Sequence, residues 1–484
     1  MRGSGVWRVF LVVAIVFAAV WACVIAWWRM DDTSPDGGRM LLWLVVVPVA
    51  VLATIWAGAR LRRRRAEASG AAAGTDGPPA PVESGAAPVE QSPLAILAAS
   101  VHLPCGSGAA ALVRELASLP RPGLHPGLRD PDGLPVLAAF APELDTSAVA
   151  AWLGVVDNMR PAPEQLRALA LLEPVAEELF EAAARLLPPV PEAEERVVAG
   201  LRRRVDTATG EHGRVHVVAL VPQDFPPALR QACAAWLRGL AADCGVDPGR
   251  SRLEVLAESD ADATWRRIGR LLDGGHDDST QWQLLLAAGS AIGERGVHAL
   301  ASAAQAERVI PGEGAAGVLL GPHAAFRPTA DGTCSEIAAL RTVDFPAGTP
   351  ARRAARDTAG LLADVMQGSG VLRDDVAMVV SDADQRPSCS VEAAVAASAA
   401  CPDLDPVAGI APLGVATGHL GHVAPLALLA LASARVDADG APVLALSVTS
   451  SSARTAVLLR TQDQAAADAQ STASGPDAAP GVAA

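Results

Sequence analysis

Few residues in this chain have types and spacing suited to chemistry. His419 and His422 lie three apart in GVATGHLGHVAP (414–425), a spacing that sets two imidazoles on one face at a helix start, as a metal would need. No cysteine or acid stands at ligand spacing beside them, so His422 reads as a cap or surface residue and no metal centre is expected. Asp382 and Asp384 alternate through SDADQ, where two carboxylates could divide acid and base roles. Alternating acids in a turn more commonly cap it or face water. The seven cysteines (Cys23, Cys105, Cys233, Cys244, Cys334, Cys389 and Cys401) contain no CxxC pair, which argues against a disulfide framework. Gly312-Glu313-Gly314, in VIPGEGAAGVLL, is no phosphate loop, because no Lys-Ser/Thr follows and the chain runs on into a strand. A Gly-x-Ser-x-Gly elbow does not occur.

These residues sit in a chain of 484 with no lysine, so all 39 basic residues are arginine. A net charge of −14 excludes a nucleic-acid binder that works through a cationic footprint. An apolar content of 51% excludes wholesale disorder. The charge is uneven: residues 1–65 hold nine Arg against three Asp, so the whole acid excess lies in the rest. Residues 9–28 and 40–57 are uncharged runs, each long enough as a helix to span about 30 Å of hydrocarbon. Trp27, Trp28, Trp43 and Trp56 lie toward their ends, and Arg60, Arg62, Arg63, Arg64 and Arg65 follow the second run. By the positive-inside bias both ends face the cytoplasm.

Residues 1–65 therefore read as a transmembrane hairpin in a bacterial inner membrane. Residues 66–93, rich in Gly, Ala, Pro and Ser, read as a flexible linker, and 94–460 as a cytoplasmic globular domain. Residues 461–484 read as a disordered tail. Arg202, Arg203 and Arg204 form a small basic cluster that reads as a solvated face.

Within 94–460, strands and helices alternate. Short apolar runs predict strands at 96–103, 215–221, 253–256, 284–288, 317–320, 377–380, 443–448 and 455–459. Helical spacing predicts helices at 109–119, 164–187 (with a kink at Pro174), 226–240, 262–272, 391–398 and 425–432. A further helix runs to about 366, with Thr349 as N-cap and Pro350 at its first position. The class is α/β with a largely buried sheet.

Four motifs then fall in a familiar order: ILAASVHLPCG (96–106), VIPGEGAAGVLL (309–320), GVATGHLGHVAP (414–425) and VLALSVTSSSARTAVLLR (443–460). Over 94–460 the chain resembles the thiolase-like fold of the β-ketoacyl synthases, the condensing enzymes. The resemblance implies a layered α-β-α-β-α body and a homodimer. It also implies a cysteine nucleophile at a helix N-terminus, two histidines that polarise a thioester, and a lysine near the second histidine.

Carried over position by position, most of this chemistry is missing. The nucleophile falls in LAESDADATW (256–265), which offers Glu258, Ser259 and Asp260 and no cysteine. The first histidine falls in Ser381-Asp382-Ala383-Asp384-Gln385, and the lysine near Gly414 has no counterpart. His419 alone matches, and Ser450, Ser451 and Ser452 replace the glycines of the terminal turn. The resemblance thus marks His419, Ser259 and Asp382 as a vestigial site, with no catalytic residue, no metal and no cofactor.

Three functions stay open at this point. One is a membrane-anchored, non-catalytic scaffold or adaptor; degenerate thiolase-like proteins are similar to accessory proteins of type VI secretion, which implies a protein partner such as an effector or secretion component. A second is an acyl-binding or condensing enzyme of fatty-acid or polyketide metabolism that uses His419 with an unconventional partner. A third is a membrane assembly subunit whose hairpin is the working part.

Overall fold

The computed structural model describes residues 91–157, 159–187, 194–198, 201–205, 213–274, 281–303, 307–322, 334–346 and 348–462. Both expected membrane spans, the expected linker as far as residue 90 and the tail from 463 lie outside the described residues. Among the described residues no helix is long and apolar enough to cross a membrane. The described body begins at Gln91, whose amide nitrogen donates to the Leu340 carbonyl at 3.0 Å, and the Ser92 N–H donates to the Leu272 carbonyl at 2.9 Å. Arg202, Arg203 and Arg204 lie on a strand, Leu201–Val205, that pairs with Glu194–Val198; their side chains lie outside the described residues.

Ten strands build the main sheet, joined by a stub at Gly106–Ser107. In chain order they are β1 (Leu94–Leu103), β2 (Arg214–Pro222), β3 (Ser251–Glu258), β4 (Gln281–Ser290), β5 (Glu313–Pro322), β6 (Ser335–Asp344), β7 (Met378–Ser381), β8 (Ile410–Pro412), β9 (Val443–Ser447) and β10 (Ala453–Thr461). Across the sheet they run β8-β7-β9-β10-β6-β1-β5-β4-β2-β3. Split at the antiparallel β1–β6 junction, where Ala95 faces Glu336, the two halves have one topology. In each, the order is third-second-fourth-fifth-first, with the fifth strand antiparallel to its neighbours. The fold is therefore a structural duplication, which the sequence had not suggested.

Alternation along the strands explains the layers, because successive side chains point to opposite faces. On β2, Val218 and Leu220 face a middle core; Val217, Ala219 and Val221 face an outer one. On β9, Val443 and Ala445 face the same middle core, while Leu444 and Leu446 face a third. The first outer core is closed by α2 (Pro163–Leu186) and α3 (Pro227–Asp243). The middle one holds α1 (Ala109–Glu115), α4 (Ala261–Leu272) and α7 (Ala424–Asp439). The third is closed by α5 (Ala351–Gly368) and α6 (Pro387–Ala400). This gives the α-β-α-β-α layering expected from the resemblance. The central α7 is apolar on every side, with Leu426, Leu428, Leu429 and Leu431 all fully buried, as a helix between two sheet faces must be.

Helix α2 carries Pro174 inside it, as expected. Other expectations need correction. Helix α5 starts at Ala351 with Pro350 itself at the cap, while the Thr349 hydroxyl donates backwards to the Pro346 carbonyl at 2.7 Å. Strand β6, SEIAALRTVD, has no counterpart in the sequence reading, because its charges break the apolar run. The pairing explains how they fit: Glu336 stands opposite Arg460 on β10, and the Arg460 Nε donates to its carboxylate at 2.9 Å. Buried charge is tolerated in a sheet when it is paired this way.

Candidate functional site

The GEG motif seats the loop that carries His419. Glu313 opens β5 with its carboxylate fully buried, and that carboxylate is met on every side. Arg167 of α2 donates Nε to Oε2 at 2.8 Å and Nη2 to Oε1 at 2.5 Å. The Ser290 hydroxyl and the Ala141 N–H add donors at 2.8 Å each. Gly312 is needed because a Cβ there would collide with the Thr417 carbonyl oxygen. Gly418, at φ 64° and packed on Ile310 and Pro311, must adopt the left-handed region. The His419 N–H then donates to the Ile310 carbonyl at 2.9 Å.

His419 lies between two cavities. One of about 10 Å³ is bounded by His419, Asp382 and Thr449; the other, of about 320 Å³, is lined by His419, His422 and Ser259. Thus the three residues marked from the sequence are gathered around His419. Burial and, secondarily, the Arg386 cation push the His419 pKa below the ordinary value, with Asp384 pulling the other way. The ring is neutral at pH 7.

Arg386, which the sequence reading passed over, is held by its Nε at 2.9 and 2.8 Å from the two oxygens of Asp384. Its Nη2 is buried without a hydrogen-bond partner among the described residues. The motif DADQRP contains this i, i+2 ion pair, but the spacing alone does not tell whether the acid faces its own loop or water.

Asp382 and Asp384 were expected to cap a loop or face water; both are buried, and Asp384 caps its own loop by accepting from the Arg386 N–H at 3.0 Å. Asp382 accepts from the Ser447 hydroxyl at 2.6 Å, the Val448 N–H at 2.7 Å and the Thr449 hydroxyl at 2.8 Å. Burial pushes its pKa up while these donors pull it down. Its role is to pin the end of β9 to the end of β7.

At the N-terminus of α4 stands Ala261, flanked by Asp260 and Asp262. Asp260 is the N-cap and accepts from the Ala263 N–H at 2.9 Å; the exposed Ser259 hydroxyl donates to the same side chain at 2.8 Å. Asp262 accepts from Ser450 at 2.6 Å and from Ser452 at 3.1 Å, which ties the three-serine turn onto the helix start. An oxyanion forming here would face two carboxylates, the reverse of what acyl transfer requires.

The described cysteines all have raised pKa values. Burial pushes Cys105, Cys389 and Cys401 up to about 11 and Cys233 and Cys334 to about 12. Cys244, at the C-terminus of α3, is also raised, by burial and then by Glu177, Glu181 and Asp243. At pH 7 each is a thiol, whereas the nucleophile is the thiolate.

His422 is neither a cap nor a surface residue, as the sequence suggested, but a core histidine. Its Nε2 lies 3.0 Å from the Ala288 carbonyl, and its own carbonyl accepts from Thr264 Oγ1 at 3.0 Å. Burial pushes its pKa down to about 4. Among the described residues no three His, Cys, Asp or Glu side chains gather for a metal.

No family model and no curated protein matches the sequence. Solved structures do resemble it. The ishigamide ketosynthase/chain length factor is 14% identical with a TM-score of 0.48, covering 76% of this chain and 99% of that one. A β-ketoacyl synthase from Burkholderia phymatum is 13% identical with a TM-score of 0.47, covering 76% and 99%. AntDE, described as a type II ketosynthase in complex with its acyl-carrier protein AntF, is 10% identical with a TM-score of 0.47, again covering 76% and 99%. With likeness this low, the fold reading stands on the strand order and layers of this chain, which form a duplicated mixed α/β body.

Proposed function

We propose that this chain is a membrane-anchored, non-catalytic scaffold or adaptor with a thiolase-like body, working as a homodimer at the bacterial inner membrane. Its client would be a protein, with an effector or spike component of type VI secretion as the class the sequence resemblance favours. One observation carries the reading: the helix start that should present a thiolate presents Ala261 between two aspartates, fastened to the terminal turn by Ser450 and Ser452. A closed polar lattice suits a structural site better than a reacting one.

Purification of the full chain followed by mass spectrometry tests this. The expected result is no covalent adduct after exposure to acyl-CoA, together with a protein retained in stoichiometric amount. An acyl adduct on any residue would sink the non-catalytic reading. Normal secretion by a host lacking the protein, with no effector retained, would sink the secretion client.

A second reading, an acyl-binding protein, is favoured by the cavity of about 320 Å³ that His419 and Ser259 share. It requires saturable acyl-CoA binding that His419→Ala abolishes. A third, a membrane assembly subunit, requires that exchanging the hairpin for an unrelated one destroys function while the body stays folded.

A further inference from the structure

At the β8 end of the sheet lies a trough of about 360 Å³, walled by α1, the segment that follows it and the approach to β8. Its floor is apolar: Val113, Met378, Ile410 and Leu413 are all buried there. Its rim carries Val407, 80% exposed, and three arginines from three separate elements: Arg114, Arg121 and Arg435. Among the described residues no acidic side chain lines it. In a chain of net charge −14, three cations lining one trough without an acid form a local inversion of charge.

Two of these cations are not paired elsewhere among the described residues, and the third is paired only in part. Among the described residues neither Arg114 nor Arg121 meets a carboxylate; Arg114 Nε donates to the Ala110 carbonyl at 3.2 Å. Arg435 holds Asp439 through Nη2 at 2.7 Å, but its Nε is buried without a hydrogen-bond partner among the described residues. A buried donor left unmatched is costly, and an anion at the mouth would satisfy it.

We propose that this trough binds a single-chain fatty carboxylate, with the alkyl chain on the apolar floor and the carboxylate among Arg114, Arg121 and Arg435. The volume lies in the small-molecule range of roughly 300–1,000 Å³, at its lower end, which suits one chain rather than a lipid with two. Arginine forks match a carboxylate in two-point geometry. The trough shares only the Leu413 wall with the small cavity beneath His419. The inference is therefore independent of what the His419 site does.

The full chain, in nanodiscs of phosphatidylcholine, would be incubated with a dodecanoate bearing a diazirine on its chain, irradiated and digested. Adducts are expected in 113–121 and 407–416, reduced about tenfold by Arg114→Glu with Arg121→Glu, the scale of a single charge-assisted hydrogen bond. The matching diazirine alcohol should label about tenfold less. Val407→Glu, a change at an exposed position, should also reduce labelling by placing an acid at the mouth. Labelling spread over the body, or unchanged in both variants, overturns the proposal. Equal labelling by the alcohol overturns the anionic part. Preferential labelling of the same residues by photoactivatable phosphatidylglycerol assigns the trough to a membrane lipid and overturns the fatty carboxylate.

Discussion

His419 and His422 share a motif and differ in fate, because one lies between two cavities and the other is packed against β4. The protonation of His422 is linked to folding. Its pKa falls from 6.5 in the unfolded chain to about 4 when folded. Between those values the unfolded state binds the extra proton, so stability rises with pH across this window and is lost as pH falls through it. From pH 7 to pH 4.5 the loss amounts to on the order of 2 kcal/mol. Urea unfolding of the wild type and of His422→Gln at both pH values checks this: the variant should be weaker at pH 7 and show a flatter dependence on pH. A parallel pair of curves would remove the linkage. Asp382 makes a second prediction. Its removal as Asp382→Ala leaves the Val448 N–H and two hydroxyls without their acceptor, so about 2–4 kcal/mol should be lost at pH 7. An unchanged urea midpoint would mean that water replaces the carboxylate.

The start of α4 is where element and site meet. A helix N-terminus carries about half a positive charge and ordinarily lowers the pKa of a thiol placed there. Here Asp260 and Asp262 bring two full negative charges to the same turn, and two outweigh the half. A cysteine introduced as Ala261→Cys should therefore titrate above the ordinary value of about 8.5, measured from the pH dependence of iodoacetamide alkylation. Adding Asp260→Ser and Asp262→Ser should bring it back toward or below that value. If the single variant already alkylates as a thiolate at pH 7, the aspartates do not set the thiol pKa at this helix start.

Much of this element could be read in the sequence, because ESDADATW gives the cap and shows that no cysteine stands at the helix start. The partners could not: Ser450 and Ser452 lie far along the chain, and only the fold brings them to Asp262. The same holds for Glu313. Its motif is plain in VIPGEGAAG, but Arg167 on α2 and Ser290 on β4 are found only by three-dimensional packing. Strand β6 stayed hidden for a related reason, since the residue that makes Glu336 acceptable is Arg460 on another strand.

At the scale of the whole molecule, the duplication places one helix where both halves need it. Helix α7 packs on β1, β4 and β5 of the first half and on β6, β7, β9 and β10 of the second. Each half keeps an outer core of its own, but the middle core and the continuous sheet from β1 to β6 are shared, so the body should unfold as one cooperative unit. Leu429, fully buried in the middle of α7, tests this. Leu429→Ala removes methyl groups from a packed interior and should cost about 2–5 kcal/mol. The informative measurement is native-state hydrogen exchange on β4 and β5 compared with β9 and β10. If the middle core is shared, protection of both strand pairs should fall by the same amount, because their amides exchange through the same global opening. Loss confined to β9 and β10 would mean that the first half holds itself together through α2 and α3, and that the two copies of the duplicated unit remain separate folding units joined only at the β1–β6 junction.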